Sequence, residues 1–179
     1  MSTGRQPTLA TKATGKTTRR PARSTVSAGI LAYRQGMHGL EVLLVHPGGP
    51  FWRNKDDGAW SIPKGELGAS EDPELAARRE FAEELGTTAS ITALRPLGEI
   101  RQRAGKRVIA FCGEGTFDPA ALASNTFEIE WPPKSGRLQS LPEVDRAAWF
   151  DLATARTKLL AGQDALIDRL VAEIDPVTP

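Results

Sequence analysis

The 179-residue chain has a single cysteine, no long apolar run and, across its first 23 residues, no acidic side chain. Each shortage narrows the reading. A lone thiol cannot cross-link the chain to itself, and Cys112 sits in the apolar run Val108-Ile109-Ala110-Phe111-Cys112, so a buried thiol and a reducing, cytoplasmic home are expected. Nothing approaches the roughly 18 consecutive apolar residues that cross a bilayer, so no membrane partner is expected. No apolar stretch follows the basic N-terminal residues, which argues against a secretory signal. The missing acids leave Arg5, Lys12, Lys16, Arg19, Arg20 and Arg23 unopposed, so the remainder carries a net −5 beneath the overall +1. Residues 1–23, rich in Thr, Ser, Gly and Pro with little to bury, read as a disordered basic arm ahead of one domain, 24–179. Six charges spread over such a length make a weak patch for nucleic acid, and a passive tail is the expectation.

What is present is ordinary in bulk. Forty per cent of residues are apolar and 25% charged, enough for one sizeable core, and no internal repeat is visible. Two β-branched, apolar runs at 26–33 and 41–46 read as strands joined by a hairpin connection at 34–39. A turn-rich loop covers 47–58, and a short strand is expected at 59–62. Asp72 as N-cap, Pro73 at the first helical position and Gly86 at the end delimit a helix over 73–85. Strand-like stretches follow near 91–102 and 107–117. An irregular region around Trp131-Pro132-Pro133, a strand at 147–150, and a helical segment over 152–174, capped by Asp151 and broken near Gly162, complete the chain. Strands in mixed order with two helical segments predict an α/β sandwich.

On the helix, Glu80, Glu83 and Glu84 share one face, while Leu75, Phe81, Ala82 and Leu85 fall opposite and are expected to anchor it. Like charges so placed cost a few tenths of a kcal/mol per pair when exposed. A solvated acidic face is the plain explanation of such a pattern. Two neighbours argue for more. Gly65, just before the helix, lets bare backbone approach a ligand and offer its carbonyl. Glu71 and Arg79 bracket the acids and can hold them by charge-assisted hydrogen bonds. Clustered hard oxygens without His or Cys suit Mg²⁺ or Mn²⁺ rather than zinc.

Gly65, five residues, Glu71, seven residues, then Arg79-Glu80-Phe81-Ala82-Glu83-Glu84-Leu85-Gly86 resembles the signature box of the Nudix hydrolase family, G-x5-E-x7-R-E-U-x-E-E-x-G-U with U bulky and apolar. Seven fixed residue types at fixed spacings arise by chance on the order of once in a million chains of this length. Thr87 departs from the final apolar position. The resemblance implies an αβα sandwich around a mixed β-sheet, with metal held by Glu80, Glu83, Glu84 and the Gly65 carbonyl, and Arg79 in support. It also implies an acidic residue from a later loop as general base or extra ligand. Glu143, six residues before Trp149, matches that arrangement; Asp145, Glu128 and Glu130 are rivals, and Glu83 or Glu84 competes for the base. Lys64, Arg53, Arg103, Lys55, Arg101, Lys106 and Arg107 are candidates to meet phosphate.

The implied activity is Mg²⁺-dependent cleavage of a phosphoanhydride bond in a nucleoside-diphosphate-linked substrate. A base could stack on Trp52 or Phe51, whereas Trp60 reads as core. The run Trp60-Ser61-Ile62-Pro63-Lys64-Gly65 is similar to members that act on dinucleoside polyphosphates or diphosphoinositol phosphates. A dinucleoside polyphosphate or (d)NTP is the expected substrate. RNA 5′-end pyrophosphohydrolysis and a catalytically idle nucleotide-binding module stand as alternatives. The family likeness also points to a homodimer. The segment 131–137 reads as either a second pocket wall or a rigid loop.

Overall fold

A computed structural model describes residues 26–86, 89–102 and 105–175. The basic arm, Thr87 and Arg103 lie outside these described residues.

Strand β1 (Val26–Gly36) forms the centre of a mixed sheet. It turns through Met37 and His38 into the antiparallel β2 (Gly39–Pro47). Here the strands run further into the expected connection than the sequence suggested. On its other side β1 pairs in parallel with β6 (Arg107–Thr116). β9 (Val144–Asp151) closes one edge against β2. β5 (Arg95–Arg101) and the short β4 (Ser90–Ile91) both pair with β6. A three-residue strand, β3 (Lys64–Glu66), lies antiparallel on the first residues of β1.

Side chains alternate across the sheet, so β1 and β2 feed two cores. Ala28, Ile30, Leu43 and Val45 face helix α1 (Pro73–Leu85), whereas Leu31, Val42 and Leu44 face α2 (Leu152–Lys158) and α3 (Ala165–Ile174). Helices on both faces of a mixed sheet make the α/β sandwich that the sequence predicted. Cys112 is buried in the second core, as is Trp60, whose indole N–H donates to Asp56 at 2.8 Å. Among the described residues no helix is long and apolar enough to cross a membrane.

Three expectations need correction. Leu75 and Ala82 do not anchor α1. Both are exposed, and Ala76, Ala77, Phe81 and Leu85 do the packing. Leu75 belongs to the first turn, on the solvent side, so its apolar character is left unused. Residues 59–62 make no strand: Trp60 and Ser61 form single bridges to Leu159 and Val45, and the paired segment begins at Lys64. The region around Trp131 is more regular than expected. Strands β7 (Thr126–Glu130) and β8 (Leu138–Pro142) form a separate antiparallel hairpin with 131–137 as its tip. Gly48 and Gly49 let this hairpin dock. A Cβ on Gly48 would lie 2.0 Å from the Pro142 carbonyl, and one on Gly49 3.3 Å from the Phe127 ring.

Candidate active site

The site forms where β3 meets the acidic edge of α1. Asp72 caps the helix by accepting from the amides of Glu74 and Leu75 at 2.9 and 3.1 Å, so the three glutamates enter at a fixed phase. At the other end Gly86 turns away with φ 92°, a conformation cheap only for glycine. The last carbonyls of the helix find partners outside it: Ala123 donates to Leu85 and Asn125 to Glu83.

Gly65 has a physical reason to be glycine. The Glu80 carboxylate occupies the place a side chain would need, and a Cβ there would sit 1.9 Å from it. The bare backbone of Lys64-Gly65 thus lies directly against the acids. The Lys64 amide donates to Glu84 Oε2 at 3.1 Å.

Arg79 organises the rest. Its guanidinium grips Glu71 with two parallel bonds of 3.0 and 3.1 Å, and donates to Glu80 at 2.6 Å, Glu83 at 3.2 Å and the Glu66 carbonyl at 3.2 Å. Glu71 is in turn held by the Gly68 amide at 2.8 Å. The Arg79 hydrogen bonds lower the Glu71 pKa, and those carboxylates raise that of Arg79. The expected bracketing of the acids by Glu71 and Arg79 is therefore present as geometry.

Glu84 stands apart from this network. Burial pushes its carboxyl up to about 8, with Glu80 and Glu143 adding repulsion and the Lys64 charge and amide opposing. Lys64 is pulled the other way: burial and Lys106 lower its pKa while Glu84 and Glu80 raise it, and its Nζ donates to Ser61 Oγ at 3.3 Å. Glu143, on the link between β8 and β9, is raised by partial burial and then by Glu80 and Glu83. Glu143 is thus within electrostatic reach of Glu80, Glu83 and Glu84. Its rival Asp145 is engaged elsewhere, 2.6 Å from His46 Nδ1, and Glu130 accepts from the Gly136 amide in the hairpin tip.

The donor set suits a hard cation: four carboxylates and the Gly65 carbonyl, all oxygen. Among the described residues no three acidic, His or Cys side chains converge on one ion position. The contacts give the reason, because Arg79 draws Glu80 and Glu83 to itself. Seating a cation requires Arg79 to release at least one of them; Arg79 and Glu83 are partly exposed and have room to turn, whereas Glu80 is mostly buried against Gly65. The residues fit the group on those terms.

The basic candidates divide. Lys64 faces Glu84 and Glu80 and feels the charge of Lys106, whereas Arg107 is committed to a salt bridge with Glu99. Arg53 is exposed on the 47–58 loop. Trp52 is half-buried against the core, with Lys55 Nζ 4.6 Å above its ring. Phe51 is 59% exposed and meets Trp131 of the hairpin tip edge-on, 5.3 Å between centroids. The Phe51–Trp131 contact and the tie from Asn125 to Glu83 were not foreseen. Alternation in Thr126-Phe127-Glu128-Ile129-Glu130 was the available signal for the strand that brings them there.

A sandwich of this kind, with a glutamate-edged helix packed against a bare glycine strand, defines a class of hydrolase that acts on pyrophosphate bonds. Residues 23–170 match the NUDIX domain, and the chain belongs to that family. An RNA pyrophosphohydrolase of Rhodospirillum rubrum is 27% identical over 153 residues, covering 83% of this chain and 91% of that protein. One from Caulobacter vibrioides is 39% identical over 64 residues, 33% of this chain and 37% of that one. Among solved structures, a C. elegans Ap4A hydrolase in a binary complex superposes with a TM-score of 0.55 at 21% identity, over 83% of this chain and 97% of that chain. Shewanella oneidensis NrtR gives 0.53 at 17% identity, over 84% and 63%. Members of the family generally use divalent metal ions.

Proposed function

We propose that this protein is a Mg²⁺-dependent pyrophosphohydrolase that opens a phosphoanhydride bond in a nucleoside polyphosphate, with a dinucleoside polyphosphate or a (d)NTP as substrate. The observation that carries the reading is the Glu80 carboxylate seated where a Gly65 side chain would lie, beside Glu84 on the Lys64 amide, with mutual repulsion linking Glu80, Glu83, Glu84 and Glu143. Four mutually repelling acids at one place are costly unless positive charge joins them. In this reading Glu80, Glu83, Glu84 and the Gly65 carbonyl hold the ion, with Mn²⁺ a chemically acceptable substitute. A bound divalent ion contributes neutralisation of the phosphate oxygens, the main barrier to attack by water on an anion.

The remaining work belongs to the chain. Lys64 and Lys106 meet phosphate oxygens, as does Arg53 from the 47–58 loop, and Arg103, outside the described residues, is a further candidate. Glu143, raised in pKa and more exposed than the helix acids, takes the proton from the attacking water. Arg79 positions Glu71, Glu80 and Glu83 through the bonds described. Glu83 and Glu84 are the other carboxylates within the cluster able to serve as base, but Glu83 is tied to Arg79 and Glu84 to the Lys64 amide.

A second reading, hydrolysis at the 5′ end of RNA, is supported by the name and coverage of the Rhodospirillum rubrum relative. The deciding experiment is a Mg²⁺-dependent phosphate-release screen across (d)NTPs, diadenosine polyphosphates, nucleotide sugars, diphosphoinositol phosphates and 5′-triphosphorylated RNA. Release from the first two classes at least tenfold faster than from RNA is expected. Faster release from RNA would replace the substrate assignment, and no release from any class would leave a nucleotide-binding module.

A further inference from the structure

We propose that Phe51 and Trp131 form the nucleobase subsite of this enzyme, a slot between the 47–58 loop and the tip of the β7–β8 hairpin. The proposal rests on the preceding reading of the site as one for nucleoside polyphosphates. Phe51 is 59% exposed, Trp131 is half-exposed, and neither joins either buried cluster. They meet edge to face, 5.3 Å apart at 81°. Turning one ring about its side-chain torsions opens a gap that a planar aromatic fills with two faces in contact.

The segments on either side are held firmly. Gly48 donates to the Glu143 carbonyl at 2.8 Å, and Trp52 and Arg53 donate to the Gly49 carbonyl at 3.2 Å each. Further along, Lys55 offers its carbonyl 2.9 Å from the ring of His46, and Asp56 and Asp57 both accept from Lys158. In the hairpin tip, Trp131 donates to the Arg137 carbonyl at 2.9 Å. The two rings thus project from backbone that is hydrogen-bonded in place.

Position and charge select the ligand. Phe51 is three residues from Gly48, so it lies within about 11 Å of chain from the Glu143 link, a span that suits one nucleoside reaching from its ring to the phosphate under attack. Trp52 is the poorer platform, since its ring already packs on the core and carries Lys55. An inositol polyphosphate fits badly, for it has no flat ring to stack.

The test is calorimetric titration of the full chain in Mg²⁺ with AMP and with ribose 5-phosphate, which differ only by the base. AMP is expected to bind about 5- to 100-fold more tightly. Phe51→Ala and Trp131→Ala should each bring that ratio to within about 2-fold of one, while Phe51→Tyr and Trp131→Phe keep most of it. Leu138→Ala, an exposed change on the same hairpin, should preserve the ratio; its collapse would assign the effect to hairpin integrity and overturn the proposal. So would a wild-type ratio near one, or alanine variants that keep the full preference. Repeating the titration with ATP and with 5′-triphosphorylated RNA tells a free nucleotide from an RNA end, and a Phe51→Ala loss with neither overturns the subsite. Because the ratio is read from binding, it is independent of whether phosphate release fails.

Discussion

The two faces of the sheet are covered by helices of opposite character. α3, Ala-Leu-Ile-Asp-Arg-Leu-Val-Ala-Glu-Ile, buries Leu166, Ile167 and Leu170 completely and leaves its polar residues to solvent. α1, Pro-Glu-Leu-Ala-Ala-Arg-Arg-Glu-Phe-Ala-Glu-Glu-Leu, has seven charged or proline positions in thirteen, exposes its first leucine and packs chiefly through two alanines, a phenylalanine and one leucine. One helix is shaped by the core. The other carries the acids proposed to hold the ion, and it relies on Asp72, Gly86 and the Arg79 network for the order that apolar burial would otherwise provide. The comparison teaches that stability and chemistry are separable here by face.

Breaking that separation should be difficult, beginning with the largest effect. Leu170→Ala removes a fully buried side chain and is expected to cost about 2–5 kcal/mol in denaturant unfolding, while turnover per folded molecule stays within about 2-fold. A large activity loss in the fraction that remains folded would show that the α3 face is not independent of the site. Glu83→Gln should do the reverse: turnover lower by two or more orders of magnitude, with unfolding free energy within about 0.5 kcal/mol of wild type. Near-normal turnover would remove Glu83 from the machinery.

A pH series sharpens the comparison further. Burial and neighbouring acids raise the Glu84 carboxyl from 4.5 to about 8. Between those values the folded chain holds a proton the unfolded chain has lost, so this group's contribution is full below pH 4.5 and is lost as pH rises towards 8. Without added metal, the melting temperature of the wild type should therefore decline across that window relative to Glu84→Gln. Lys64 faces Glu84 with its own pKa lowered and contributes in the opposite sense at higher pH, so the comparison is confined to pH 5–8. Parallel curves for the two proteins would show that Glu84 ionises freely.

Much of this arrangement was legible in the chain. Asp72, Pro73 and Gly86 set the limits of α1 to the residue, and the β-branched, apolar runs 26–33 and 41–46 marked the two strands that feed both cores. The spacing of Gly65, Glu71, Arg79 and the glutamates pointed to one cluster because a helix converts spacing into direction. What spacing cannot express is depth. Leu75 has an apolar side chain on a turn that happens to face solvent, and no local rule distinguishes it from Leu85. The β7–β8 hairpin was hidden for another reason: its ties run to distant residues, Gly48, Gly49 and Phe51, and the Trp-Pro-Pro run suggested irregularity. Likewise, the tight pairing of Glu99 with Arg107 removes a cation that composition alone left available.

The neck of that hairpin has an evolutionary corollary. Asn125 donates its amide to the Glu83 carbonyl, and Glu143 donates its amide to the Asn125 carbonyl, at 3.0 and 2.8 Å. Both links are main chain to main chain, so they are indifferent to which side chains the hairpin carries. Residues 126–142 can then diverge or be exchanged like a tool on a common handle, altering what meets the proposed subsite while Glu83 and Glu143 keep their seats.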